Sequence, residues 1–431
     1  MHTVKEDLTR EILKIGIVDP HTHLREDDMT SHVVDILSYH WILSELNSVG
    51  MDYEHTLMNP ALSLEDRLNA AVPYLARMRN TATYRCLLNI FRDLYGFDEP
   101  LTLQSSRKLL DLSLAKTGGP GWADSVFQRA NLVQFGTSAG NASKLGHERK
   151  DFVLMADLHY LFWPAGSTDN TPWFREYQLD ETRYLEAIEK VGGKEIASAA
   201  DLRGCVETFL HGVYGGRLKY FNAFLPIEFR FAPVSDGAAE RAIAEFRKTS
   251  GKSREAVDTL RQFVTWTVLQ SLNDMRATLQ LAVGAEYFIC GGRSVSRFES
   301  TWVSDMVKVC YQFPGVKFDF MNASYAMNHE MEVAAKMIRN YYIQNMWWHT
   351  YVPSCIETLY EKLEVVPVVK LGGFYCDAYY CELTYGKYRM VIESVIDVLA
   401  RKVENGVYTE EYALEVAERI LCSNQKELYG L

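Results

Sequence analysis

The sequence predicts an α/β chain built as a closed parallel barrel of eight strands, and three observations carry that expectation. Short apolar runs recur eight times along the 431 residues. Amphipathic stretches separate several of them, as they must if neighbouring strands are parallel, because a parallel connection needs a crossover that is normally a helix. The first run, Ile15–Leu24 (IGIVDPHTHL), ends in two histidines one residue apart, at the end of the strand where such a barrel places its chemistry. A chain of this length exceeds a single small core, and residues 1–431 are expected to form one large barrel domain with an insertion.

Taken in order, the opening strand is followed by a long helical segment, residues 25–130, with no convincing strand. Helix-period positions run through Val33, Ile36, Leu37, His40, Trp41 and Ser44, and again through Tyr84, Leu87, Leu88, Phe91 and Tyr95. This reads as a helical insertion after strand 1 that could cover a site on the strand ends. From residue 131 the pattern changes to the runs Leu132–Thr137, Phe152–Leu158, Leu218–Leu225, Leu279–Gly284, Phe318–Asn322, Tyr342–Trp347 and Val368–Tyr375. Among the intervening helices the clearest is Arg254–Arg276, with Val257, Leu260, Val264, Val268, Leu272 and Met275 on one face. Nearly continuous apolar strands are what a sheet buried on both faces requires.

In an extended strand residues i and i+2 share a face, so His21 and His23 can aim at one point while Thr22 turns away. Two imidazoles on a rigid strand end suit a catalytic divalent metal, although an arbitrary His-x-His is more often a pair of ordinary surface or core histidines. The other strand ends supply the remaining candidates: Asp157, His159 and Tyr160 after the third, Pro226 and Glu228 after the fourth, Glu286 after the fifth, Asn322 after the sixth, Trp347, Trp348 and His349 after the seventh, and Asp377 after the last. Asp377 would lie beside the first strand once the barrel closes, completing two histidines and a carboxylate. It could equally cap the helix that follows. His40, on the first inserted helix, reads either as a helix-face histidine bonded to a carbonyl or as an active-site group.

The net charge of −11 argues against a nucleic-acid partner, since phosphate binding relies on clustered Lys and Arg. A small-molecule substrate fits better. With neither an apolar leader nor a run of about 18 apolar residues, the chain is expected to be soluble and cytoplasmic, without a membrane partner. The eight cysteines are scattered, only Cys376-x4-Cys381 being close, so neither a disulfide framework nor a zinc ribbon is indicated.

The DPHTHL stretch, the Ser38-Tyr39-His40-Trp41 segment, the Trp347-Trp348 pair and the Cys376-Asp377-Ala378-Tyr379 strand end together resemble the uronate isomerase family, a branch of the amidohydrolase superfamily. The resemblance spans nearly the whole chain, including closing helices of the type Thr409–Leu421. It implies a distorted (β/α)8 TIM barrel of the metal-dependent hydrolase type, one divalent metal, zinc or else manganese, and interconversion of the aldose and ketose forms of a uronate or related sugar acid. It also implies that His21, His23 and Asp377 hold or adjoin the metal, that Asp377 and His40 act in catalysis, and that the enzyme is a homo-oligomer.

Three departures stand beside the matches. The family's tyrosine after the helical histidine is Trp41 here, its arginine two residues past the strand-eight aspartate is Tyr379, and its strand-three arginine is Asp157, with His159 two residues on. Arginine grips a carboxylate through a planar fork that tyrosine cannot reproduce. Arg25, Arg230 or Arg293 would have to compensate. The substrate-binding candidates are therefore Trp41, Asp157, His159, Trp347, Trp348, Tyr379 and Arg25. A metal-dependent hydrolase or lyase on the same scaffold is the alternative that the changed cations favour, and a non-catalytic structural role is the third.

Overall fold

The computed structural model describes residues 3–158, 161, 181–225, 229–286, 295–296, 298–345, 347 and 355–431. The main strands are β1 (Ile17–Thr22), β2 (Leu132–Ser138), β3 (Phe152–Asp157), β4 (Leu218–Phe224), β5 (Thr278–Val283), β8 (Lys317–Asn322), β9 (Tyr341–Gln344) and β10 (Leu371–Gly372). Between β5 and β8 lies a small antiparallel pair, β6 (Ala285–Glu286) and β7 (Val295–Ser296), which the apolar pattern does not foretell. The eight main strands form one sheet in chain order, and every pairing described between them is parallel, as in a (β/α)8 TIM barrel.

The chain divides into two compact units. The first comprises Met1–Val153, Asn345–Glu364 and Gly372–Lys426, and the second Leu154–Gln344, Val365–Leu371 and Glu427–Leu431. In the first, every residue of β1 is buried, including Asp19 and His21. Pro20 has no N–H to give to the ladder, and the register with β2 slips between Asp19 and Thr22, where β1 spends one extra residue. Between β1 and β2 all helices and strands described are helical, from Val33–Leu37 to Trp122–Arg129. In the second unit, Leu154–Asp157 of β3, β4, β5 and β8 pair side by side, and the helix Arg254–Met275 ends as its periodicity predicts, with Arg276 left-handed at φ +53.

Three expectations need correction. The helical period through Val33 to Ser44 does not make one helix: it breaks into Val33–Leu37 and His40–Ser48, with Tyr39 extended at φ −64, ψ 134. Ser38 ends the first piece by returning its hydroxyl to the Val34 carbonyl over 2.8 Å. The run expected as the strand Val368–Tyr375 is regular strand only over Leu371–Gly372, because Val368–Lys370 form a 3₁₀ turn after Pro367. Lys370 turns its ammonium onto the carbonyls of Ile338 and Tyr341 there. The seventh strand stops at Gln344, leaving Trp347 outside it but buried.

Among the described cysteines no disulfide forms, and no described helix is long and apolar enough to cross a membrane.

Candidate metal centre

The first unit builds this site from the end of β1 and the segment that follows β10. The Asp377 N–H donates to the His21 carbonyl over 2.8 Å, and the His23 N–H donates to the Ala378 carbonyl over 2.8 Å, so the segment that follows β10 runs beside the end of β1. Asp19 adds a clamp, its Oδ1 accepting from the backbone N–H groups of His21 and Cys376 at 3.2 and 3.1 Å. Burial pushes the Asp19 carboxyl up to about 7, against the pull of those hydrogen bonds.

The same alignment brings three side chains together. Asp377 Oδ1 lies 3.3 Å from His21 Nε2 and 3.0 Å from His23 Nε2. The imidazoles stand edge to face, with ring centres 5.4 Å apart and planes at 88°. Thr22 turns away and bonds the Gly136 carbonyl. One donor atom from each of His21, His23 and Asp377 falls within 4.8 Å of the others. Four ligands at about 2.1 Å from a zinc-sized ion are spaced by roughly 3.4 Å, so two nitrogens and one oxygen at these separations fit a divalent metal with a coordination position left over. Burial alone would raise the Asp377 carboxyl, but hydrogen bonds from His21 and His23 outweigh it and hold the group well below the usual carboxylate range. It is an anion, as a ligand must be. His23 keeps 24% of its side chain exposed against 5% for His21 and 9% for Asp377, so the centre opens on the His23 side.

Aromatic rings form the wall on that side. Tyr379 stacks on His23 with centres 4.8 Å apart and planes at 14°, and His40 meets the Tyr379 ring edge-on at 5.9 Å. His40 is partly buried, and desolvation pushes its imidazole down to about 3 despite the opposing charge of Asp377, so it is neutral at physiological pH. Trp41 leans on His40 at 5.5 Å. Helix Cys381–Glu404 starts with Tyr380 as its cap residue, so Asp377 is not the helix cap that sequence position allowed.

His21, His23, Asp377, His40, Trp41 and Tyr379 are thus gathered in one unit. Arg25 is exposed on the turn after β1, bridged to Asp28. Trp347 is buried in the first unit. Asp157 ends β3 in the second unit, where Asn222 donates to it at 2.9 Å, and Arg230 there faces Glu299 at 3.7 Å. His159, Tyr160, Pro226, Glu228, Arg293, Trp348 and His349 lie outside the described residues.

Two residues behind the site escape sequence reading. Tyr39 donates its hydroxyl to the Asp377 carbonyl at 2.8 Å, and the buried Lys387 donates to Tyr39 Oη at 2.9 Å. The signal for Lys387 was its place on an apolar stripe, between Leu383 and Met390 at helical spacing. Tyr39 carries no such signal.

No family model matches the sequence. Protein fluG of Emericella nidulans is 28% identical over 218 residues, which cover 46% of this chain; the chain spans about a quarter (24%) of the length of that curated relative. Among solved structures the chain is similar to glucuronate isomerase from Caulobacter crescentus, with a TM-score of 0.81, 15% identity and coverage of 99% of this chain and 94% of that one. Uronate isomerase from Thermotoga maritima gives 0.79 at 15% identity, covering 99% and 97%. A protein assigned as a metal-dependent hydrolase from Lactobacillus casei ATCC 334 gives 0.60 at 12%, covering 98% and 97%. At these identities the likeness is one of fold, and what it establishes is an α/β chain of the TIM-barrel class that uronate isomerases share.

Proposed function

We propose that this chain is a metal-dependent enzyme of uronate isomerase type, interconverting aldose and ketose forms of a uronate or related sugar acid. The observation that carries the reading is the convergence of His21, His23 and Asp377 on one point at the strand ends of a (β/α)8 fold. A divalent metal there, zinc or manganese, supplies Lewis acidity toward a carbonyl or hydroxyl oxygen.

The chain's own residues do the rest. Isomerisation moves a proton between C2 and C1, which requires a base beside the sugar carbons. Asp377 is ionised and has two carboxylate oxygens, one toward the imidazoles and a second to take and return the proton. Neutral His40 orients a substrate oxygen or shares its proton. Tyr379 and Trp41 offer apolar faces against the sugar and exclude water from the proton transfer.

A hydrolase or lyase is the second reading, and Tyr379 is the observation that favours it. Stacked flat on His23, it fills the position where the family resemblance expects an arginine for the substrate carboxylate.

Metal-loaded protein assayed in D2O against uronates, related aldonic and ketonic sugar acids, lactones and amides separates the two. Isomerisation with deuterium appearing at the transferred position supports the first reading. Hydrolysis of a lactone or amide without any isomerisation moves the assignment to the second.

A further inference from the structure

Asp377 is the one proposed ligand whose backbone is left-handed, at φ +55. For a residue with a Cβ this conformation crowds the neighbouring carbonyl oxygen, and it persists only where the surroundings fix it. Here the surroundings fix three successive peptide groups. The Ala378 carbonyl accepts from the His23 N–H, and the Asp377 carbonyl accepts from the Tyr39 hydroxyl. The Cys376 carbonyl accepts from the Lys387 ammonium, which also donates to the Tyr39 oxygen.

Lys387 is 1% exposed, and its Nζ sits 4.9 Å from the centre of the Tyr39 ring. Burying an ammonium is costly, so a lysine held inside by a hydroxyl and a carbonyl is placed for what it holds. Two local features of the sequence put the pair there. The break between the helices Val33–Leu37 and His40–Ser48 leaves Tyr39 extended, with its side chain making no cap bond to the helix it precedes. Gly386, next to Lys387, lets its helix approach the neighbouring one closely: a Cβ there would lie 2.6 Å from Cys86 Sγ and 2.9 Å from the Ile90 side chain.

We propose that Tyr39 and Lys387 are positioning residues that act as one brace on the left-handed turn at Asp377, and that through it they set the affinity and geometry of the metal centre without touching metal or substrate. The inference rests on the reading of His21, His23 and Asp377 as metal ligands. Supporting groups behind metal ligands commonly change affinity by about 10- to 100-fold when removed.

The test uses the full chain, with Zn(II) and Co(II) as probes, in wild type, Tyr39→Phe, Lys387→Met and the double variant. Zn(II) affinity is read by competition with a chromophoric chelator, the ligand field by the visible spectrum of the Co(II) protein, and folding by circular dichroism and the melting temperature of the metal-free form. Ser394→Ala, on the same helix but bonded only to the carbonyl one turn back, serves as the control. Each single variant is expected to weaken Zn(II) by about 10- to 100-fold and to shift the Co(II) bands while remaining folded, and the double variant to lose little more than either single. Tyr39→Phe removes one oxygen atom and keeps the shape, so it carries the test if Lys387→Met fails to fold. A wild type that takes up metal while Tyr39→Phe binds it as tightly and with the same spectrum overturns the brace alone. A wild type that takes up no metal overturns the ligand assignment, and the brace falls with it.

Discussion

Nε2 of His23 lies 3.0 Å from Oδ1 of Asp377 although 354 residues separate them. The approach is built by the backbone: two flanking hydrogen bonds between the end of β1 and the segment that follows β10 hold both residues side by side. Fixed this way, the donor atoms are preorganised, and a metal need not order the chain to be bound.

The first expected outcome concerns the metal itself. Protein purified with zinc or manganese present should carry about one divalent ion per chain by elemental analysis, and a chelator should remove it without unfolding the protein. His23→Ala should lower the content to below about a tenth of an equivalent while the metal-free melting temperature stays within a few degrees, because His23 is partly exposed at a strand end. Retention of stoichiometric metal in that variant would remove His23 from the ligand set.

Asp377→Asn separates chemistry from folding. Asparagine tolerates the left-handed region nearly as well as aspartate, so the turn should survive. The amide cannot take a proton as a carboxylate does, and general-base contributions are typically 10²- to 10⁴-fold. Turnover by the metal-loaded variant should therefore fall by about 10² or more. A rate within about threefold of the parent would leave Asp377 with no part in proton transfer.

For His40 the expectation is selective damage. Its ring meets Tyr379 edge-on, so His40→Gln should keep full metal content and still lower kcat/KM by about tenfold or more. Loss of metal in this variant would instead make His40 part of the metal support.

How much of this was legible beforehand follows from which signals are local. His21 and His23 could be read because period two and a strand end are both written in ten consecutive residues. Asp377 could be placed beside them by barrel closure, but not its left-handed backbone, since φ depends on the bond its N–H gives to the His21 carbonyl and on those that Tyr39 and Lys387 give to the Asp377 and Cys376 carbonyls. The break at Ser38–Tyr39 was hidden because the apolar period continues across it unchanged. Lys387 is not legible in the sequence because lysines usually carry their charge to water, and only the folded helix shows this one inside. The last strand reads longer in the sequence than it is for a related reason: an apolar run reports burial, and Val368–Lys370 are short of strand geometry where Pro367 and the bonds of Lys370 set the turn.

Glu382 gives a stability prediction that does not depend on the metal. It is fully buried, accepting from Trp122 Nε1 at 2.7 Å and from the Ser31 N–H at 3.2 Å, and burial raises its carboxyl from 4.5 to about 7 against those bonds. Below the unfolded value both states are protonated and the group is neutral to the balance. Between the two values the unfolded chain gives up the proton while the folded chain retains it, so the folded state loses ground as pH rises and levels off above about 7. A displacement of that size amounts to about 3 kcal/mol, or several degrees in melting temperature. Glu382→Gln, which imitates the protonated group and cannot titrate, should escape this decline. Its melting temperature relative to the parent, measured on the metal-free proteins from pH 5 to pH 8, should therefore rise across the window by several degrees. A difference that stays constant within about one degree would mean that Glu382 holds the same charge in the folded and unfolded chains throughout this range.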